Sequence, residues 1–360
     1  MFSFKKLDWP IIITVFFLLA VSLVTLYSLN LNQEIPNFLK FEKQIIAIAI
    51  GLAAILFFIK VDYRFLKDWG YVIYGLGFLA LISVLLWGTA SRGVAGWFSI
   101  GILNFQPVEI FKIILVVALA KFFSSRLSAY SPLKKIIYSL LITALPAAVI
   151  ILQPDLGSAI ILIIIWFSYL FFINLKKKHI LIMFLLILLT SSGAYFYILK
   201  DYQKQRILSF IYPKQDVQGA AYQVNQSIIA VGSGRLLGRG LGLGTQSSLK
   251  FLPEQETDFI FAVIAEEFGF IGASLVILGL GFILLRTIKI ISTTREPFAM
   301  LTALGLAVYF FSHALINIGM NIGFAPIIGV PLPFLSYGGS AILSNLVGIG
   351  ILESIAAHEV

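Results

Sequence analysis

Residues 258–285 read DFIFAVIAEEFGFIGASLVILGLGFILL, a run that opens on an acid, carries two more at Glu266 and Glu267, and then stays uncharged to its end. A helix needs about 17–25 apolar residues to cross a bilayer. This run is long enough to cross with tilt or to extend past the membrane. Acids beside or within a span are costly and count as functional hypotheses by default, so the stretch reads at once as a span and as part of a site.

Comparable apolar runs occur near 10–29, 44–59, 69–87, 107–123, 136–152, 156–173, 179–199, 298–323 and 340–357. The sequence therefore predicts an all-α integral membrane protein with about ten transmembrane helices. It is read as one polytopic domain over 1–360, with both termini cytoplasmic. The first run follows Lys5 and Lys6 and has no small-residue cleavage site after it, so it reads as an uncleaved anchor.

Composition agrees. Of 360 residues, 59% are hydrophobic and 12% charged, against roughly 45–50% and about 25% in ordinary globular proteins. A water-exposed surface cannot be built from that supply. There is no cysteine, which excludes disulfides, thiolate metal sites and a Cys nucleophile. The three histidines (His179, His313, His358) have no ligand-pair spacing, so a structural zinc site is not expected. The net charge of +9 has no basic domain to concentrate it, which argues against a nucleic-acid partner and for a topological origin. With the N-terminus inside, the short inner segments hold fifteen Lys and Arg, including Lys176–Lys178; the short outer loops hold three, Lys40, Lys43 and Arg92.

One connection breaks the rhythm of short loops. Residues 200–257, between the seventh and eighth spans, form a large polar, Gly-rich extracytoplasmic loop. Loops beyond about 12–15 residues are usually functional or disordered. Its apolar residues, among them Phe210, Tyr212, Ile228 and Ile229, favour a segment packed on the outer face.

Charges near the spans supply the candidates. Glu109 and Lys112 are three apart on one helical face and read either as an internal ion pair or as ligand contacts. Asp155 follows Gln153-Pro154 and reads as a turn residue or as part of a site. Asp258 suits a helix N-terminus, which also keeps a carboxylate ionised as a general base requires. Glu266 and Glu267 read as supporting or pairing residues. The glycines from Gly232 to Gly244 lack any phosphate-loop spacing and read as a chain that bends tightly against other backbone. Arg235, Arg239 and Lys250 are cations available to a phosphorylated ligand. On the residues alone, a transporter and a membrane-embedded enzyme both satisfy this pattern.

The motifs resemble the SEDS family (shape, elongation, division and sporulation). The densest block is Phe251-Leu252-Pro253-Glu254-Gln255-Glu256-Thr257-Asp258-Phe259-Ile260-Phe261-Ala262, continuing to Glu266-Glu267-Phe268-Gly269. Pro331-Leu332-Pro333-Phe334-Leu335-Ser336-Tyr337-Gly338-Gly339-Ser340 and Gln153-Pro154-Asp155-Leu156-Gly157 are others. Tyr222-Gln223, Gln205-Arg206, and Trp97 with Gln106-Pro107, Glu109 and Lys112 complete the match. Gly244-Thr245-Gln246 and Asn317-Ile318-Gly319-Met320 are similar to elongation-type rather than division-type members. Departures are Val108, Gly96, Arg235 and Ala221, with Arg92 available to replace a basic residue at Gly96.

The resemblance implies a peptidoglycan glycosyltransferase that joins lipid II units at the outer face of the bacterial cytoplasmic membrane and releases undecaprenyl pyrophosphate. It implies Asp258 as the catalytic residue. Lys43, Lys112 and Arg206 are then the nominated pyrophosphate contacts, with Arg239 and Lys250 behind them. Trp97, Glu109 and Asp155 complete the expected substrate-binding set. A divalent cation is a candidate cofactor, although the sequence shows no ligand set for one. The implied partners are a class B penicillin-binding protein acting as transpeptidase and other elongation-complex membrane proteins. The alternative is a transporter or flippase of lipid-linked precursors, which needs essential charges toward both leaflets.

Overall fold

The computed structural model describes residues 7–31, 37–91, 94–100, 103–125, 130–171, 193, 196, 199–212 and 219–359. Within them the chain is almost wholly helical. The long helices are α1 (Trp9–Leu31), α2 (Leu39–Lys60), α3 (Arg64–Trp87), α4 (Pro107–Ser124), α5 (Pro132–Leu152) and α6 (Leu156–Leu170). Two shorter ones follow, α7 (Asp201–Ile211) and α8 (Ala220–Ser233), then a single turn, α9 (Thr245–Ser248). Three more long helices close the chain: α10 (Ile260–Thr293), α11 (Pro297–Asn321) and α12 (Gly339–Glu359).

Helix starts follow local chemistry. Proline opens α4, α5 and α11 at the first helical position, where its missing N–H costs nothing. Glu296 caps α11 by accepting from Ala299 N at 2.7 Å. Burial then sorts the helices: α4, α11 and α12 form the centre, with α12 packed chiefly on α2 and α11 on α10 and α4. The outer helices bury one side only. They leave Ile13, Phe16, Leu56, Phe57, Leu76, Leu79, Leu86 and Leu145 exposed, a surface that only an apolar solvent tolerates at this density.

Among the described residues, seven helices are long and apolar enough to cross a membrane: α1, α2, α3, α5, α10, α11 and α12. Of the other three expected spans, α4 carries Glu109, Lys112 and Lys121, and α6 is a shorter apolar helix of 15 residues. The seventh, 179–199, falls almost entirely outside the described residues, as do Lys5, Lys6, Arg92 and Lys176–Lys178. Reading for apolar runs also passed over a small antiparallel sheet, β1 (Thr89–Ser91), β2 (Val94–Ile100) and β3 (Leu103–Phe105). Three- to seven-residue strands are too short to register on a scale set by bilayer thickness. The 200–257 connection is likewise a folded segment built around α7, α8 and α9.

Its Gly-rich part seats on a break in α10. At Gly269 the backbone leaves helical geometry, with φ 69° and ψ −164°, and the groups released are taken up by the neighbouring segment. Phe270 N donates to Arg235 O at 2.8 Å and Ile271 N to Leu236 O at 3.2 Å; Arg239 N and Gly240 N donate to Glu266 O and Glu267 O at 2.9 and 3.1 Å. The two acids grip the same segment with their side chains. Glu266 accepts from Gln246 N and Ser247 N at 2.8 and 3.1 Å; Glu267 accepts from Gly242 N at 3.0 Å and from Ser28 Oγ on α1. Both acids support the segment by accepting hydrogen bonds from it; the contacts of each are to main-chain N–H and serine hydroxyl donors.

The far ends of α10, α11 and α12 are held by ion pairs. Arg286 pairs with Asp8 at 2.6 Å, Asp8 N donates to Glu353 at 2.9 Å, and Lys67 pairs with Glu296 at 2.7 Å. Tyr63 OH and Arg64 both reach Glu359, at 2.6 and 3.2 Å.

The seat on α10 is testable. Gly238 has φ 83°, and a Cβ there would strike the Glu267 carbonyl. Gly238→Ala should lower stability by about 2 kcal/mol or more, read as a lower thermal midpoint in detergent. An unchanged midpoint would remove this contact from the fold's support.

Candidate active site

A cleft of about 420 Å³ opens where several connections meet, at the end of the bundle remote from the Asp8–Arg286 pair. Its walls come from β2, the starts of α4, α6 and α12, helices α7 and α8, and two irregular segments, 254–258 and 326–331. Four carboxylates from three different parts of the chain line it: Glu109 on α4, Asp155 at the head of α6, and Glu254 and Asp258 in the 254–258 segment. Arg206 and Trp97 line it as well.

Asp258 sits one residue before the N-cap of α10, in a turn closed by Thr257 N and Asp258 N donating to Glu254 O at 3.1 Å each. Three successive carbonyls of this turn are held from other elements. Glu256 O accepts from Tyr337 N at 2.8 Å, and Thr257 O from Ser336 Oγ at 2.6 Å. Asp258 O accepts from the amides of Asn317 and Asn321 at 3.1 and 2.9 Å. Asn321 Oδ1 in turn accepts from Ala262 N in the first turn of α10. Gly329, at φ 70°, faces the acid: a Cβ there would lie 3.8 Å from Asp258 Oδ2, and the positive φ keeps most side chains away from that position.

Asp155 caps α6, accepting from Ser158 N at 2.9 Å and Ser158 Oγ at 2.8 Å, with Gln106 Nε2 at 3.4 Å. It is a helix cap that also lines the cleft, so its two readings coexist. Glu109, in the first turn of α4, lines the cleft with one oxygen paired to Lys112 Nζ at 2.7 Å. Arg206, on α7, has Nη1 3.5 Å from Ile327 O in the opposite wall.

Of the expected site residues, the structure thus brings Trp97, Glu109, Asp155, Arg206 and Asp258 to one cleft. Lys43, Lys112, Arg239 and Lys250 are not among its lining residues. Lys112 is buried behind Glu109. Lys43 is half-buried on α2. Arg239 and Lys250 are exposed beside the Gly-rich seat, Arg239 donating from Nε to Ser233 O at 3.3 Å. Sequence reading missed Asn317 and Asn321 as holders of the Asp258 turn. The available signal was His313, Asn317 and Asn321 recurring every four residues in an otherwise apolar helix. Among the described residues no group of three or more His, Asp or Glu is arranged to hold a metal ion. A carboxylate held just before a helix N-terminus, the Arg206 cation and a polar cleft at the rim of an apolar bundle are an arrangement compatible with proton removal from an alcohol beside an anionic leaving group.

Residues 8–360 match the FtsW/RodA/SpoVE family profile, described as cell cycle protein. The chain is 35% identical over 353 residues to the peptidoglycan glycosyltransferase MrdB of Escherichia coli, covering 98% of this chain and 94% of that protein. A solved chain described under structural coordination of polymerization and crosslinking by a peptidoglycan synthase complex superposes with a TM-score of 0.79 at 28% identity, covering 97% of each chain. The crystal structure of the rod shape determining protein RodA of Thermus thermophilus superposes with a TM-score of 0.72 at 26% identity, covering 97% of this chain and 96% of that one.

Asn321→Leu keeps the branched outline and removes the amide, leaving Ala262 N with Phe259 O as its remaining acceptor and Asp258 O with one donor fewer. The expected cost is about 1–3 kcal/mol, seen as a lower thermal midpoint. A wild-type midpoint would show that the turn does not need this residue.

Proposed function

The chain belongs to the FtsW/RodA/SpoVE family of cell cycle proteins, which is the SEDS family, and on that premise we propose how its cleft performs glycosyl transfer. The protein is a multi-pass bacterial inner-membrane peptidoglycan glycosyltransferase. In the proposed reaction the substrate is lipid II and the protein acts in elongation. The 4-hydroxyl of the acceptor sugar attacks the anomeric carbon of the donor. A new C–O bond forms with inversion while the bond from that carbon to the pyrophosphate oxygen breaks. The hydroxyl proton passes to the Asp258 carboxylate, and the bonding electron pair leaves with undecaprenyl pyrophosphate.

Pyrophosphate leaves readily without a paired carboxylic acid, so the reaction needs one base and positive charge near the departing oxygens. Asp258 supplies the first role and Arg206 the second. Trp97 offers an aromatic face to a sugar, while Asp155 and Glu109 offer acceptors to its hydroxyls. The observation that carries the reading is the clamp on Glu256, Thr257 and Asp258: a base must be held within hydrogen-bond reach of its proton, and this turn is held at three consecutive carbonyls. The concentration of carboxylates at one end of the helices, with ion pairs closing the other, favours an enzyme over a flippase. A class B penicillin-binding protein is the proposed partner, in keeping with the similarity to a chain of a synthase complex that couples polymerization to crosslinking.

The test is polymerisation of purified lipid II by the purified protein with its transpeptidase partner. Asp258→Asn should fold normally and lose activity by about 10²-fold or more. Arg206→Ala should fold normally and lose a smaller factor. Glycan strands formed at wild-type rate by well-folded Asp258→Asn would discard the base assignment.

A further inference from the structure

Behind the cleft, Glu109 belongs to a buried chain of three ionisable side chains that runs from the cleft wall into α11. Lys112 Nζ lies 2.7 Å from Glu109 Oε1 and 3.5 Å from His313 Nε2, while His313 Nδ1 lies 3.1 Å from the carbonyl of Pro331. Glu109, Lys112 and His313 are 4%, 1% and 1% exposed, so bulk solvent does not reach these contacts. Only Glu109 of the three lines the cleft.

The protonation pattern follows from the partners. A carbonyl oxygen only accepts, so the proton of the imidazole is on Nδ1 and the Pro331 carbonyl receives it. Nε2 then turns a lone pair toward the Lys112 ammonium. A second ring proton would set two donors against each other, so the ring is neutral in a single tautomer. Lys112 is thereby held between one carboxylate oxygen and one ring nitrogen.

The remaining oxygen decides the matter. Glu109 Oε2 is buried and has no hydrogen-bond partner among the described residues. A buried carboxylate oxygen left without a donor is costly. Glu353 Oε1, at the far end of the bundle, is also without a partner among the described residues, but of the two acids only Glu109 lines the cleft, where a ligand can supply the donor. Because Lys112 already neutralises Glu109, the fitting occupant is an uncharged donor group, not the pyrophosphate.

We infer that His313 is a positioning residue: it seats the Lys112 ammonium on Glu109 Oε1 and so presents Oε2 to an uncharged donor hydrogen of the sugar substrate, a hydroxyl or an acetamido N–H. This rests on the reading of the cleft as the glycosyl-transfer site. His313 itself touches no substrate.

The experiment measures KM and kcat for lipid II with the purified protein and its transpeptidase partner. His313→Leu should raise KM about tenfold with kcat within about twofold, the pattern of a lost binding interaction. His313→Gln keeps an acceptor toward Lys112 and a donor toward Pro331, and should recover most of that loss. In a Glu109→Gln background, His313→Leu should add nothing to KM. Wild-type KM in His313→Leu overturns the inference, and so do equal defects in the Leu and Gln variants or a KM effect that persists without the Glu109 carboxylate. If Glu109→Gln does not fold, the Leu and Gln comparison decides alone. Asp258→Asn in the same assay separates the failures: if it is inactive while His313→Leu behaves as wild type, only the His313 inference falls. If Asp258→Asn also turns over normally, the reading of the cleft falls with it.

Discussion

Irregular backbone inside an apolar bundle survives only if every main-chain N–H and C=O finds a partner, because neither lipid nor packed side chains can supply one. The cleft of this protein is made from two such irregular stretches, 254–258 and 326–338, and most of the polar chemistry of the interior serves them. One face of α11 does much of this work. His313 meets Pro331 O, Asn317 meets Val330 O and Asp258 O, and Asn321 meets Asp258 O and Ala262 N. From the other side, Ser22 on α1 donates to Leu335 O at 2.6 Å and Gln44 on α2 receives Gly338 N at 3.2 Å. The position of Asp258 is a by-product of this satisfaction: its own carbonyl is one of the groups that had to be paired.

The same rule explains the outer segment. A break in α10 at Gly269 frees donors and acceptors that a continuous helix would have used, and the Gly-rich chain is placed where it can use them instead. Glu266 and Glu267 lie inside the bundle because they receive main-chain N–H groups from this segment, with Ser28 adding a contact from α1. Their burial is therefore a matter of architecture, whereas the unsatisfied oxygen of Glu109 at the cleft is not. Counting partners alone does not sort the buried acids, since Glu353 Oε1 at the far end of the bundle also lacks one among the described residues; location at the cleft is what sets Glu109 apart.

Much of this was legible in the sequence, for reasons that can be stated. Apolar runs of bilayer length report helices directly, and α1, α2, α3, α5, α10, α11 and α12 fall where such runs lie. Asp258, Asp155 and Glu109 were visible because acids stand out against an apolar background. The cations were harder. Lys43, Lys112, Arg239 and Lys250 are as conspicuous in the sequence as Arg206, but long basic side chains reach several Å from their Cα atoms, and only packing decides toward what. Asn317 and Asn321 stayed hidden because an amide that holds a distant carbonyl looks, in one dimension, like any polar residue in a helix. The β1–β3 sheet stayed hidden because its strands are short and its partners close in sequence.

The clasp formed by Asp8, Arg286 and Glu353, with Lys67–Glu296 and Arg64–Glu359 beside it, stands at the opposite ends of the helices that carry the cleft. In a bilayer those two ends meet different solutions; in a detergent micelle they meet the same one. Added salt screens partly exposed ion pairs, so titrating salt into a solubilised preparation loads the clasp and the cleft together. In a sealed vesicle the same addition reaches one of them, and a change of turnover with salt on one side only reports which end of the bundle was disturbed.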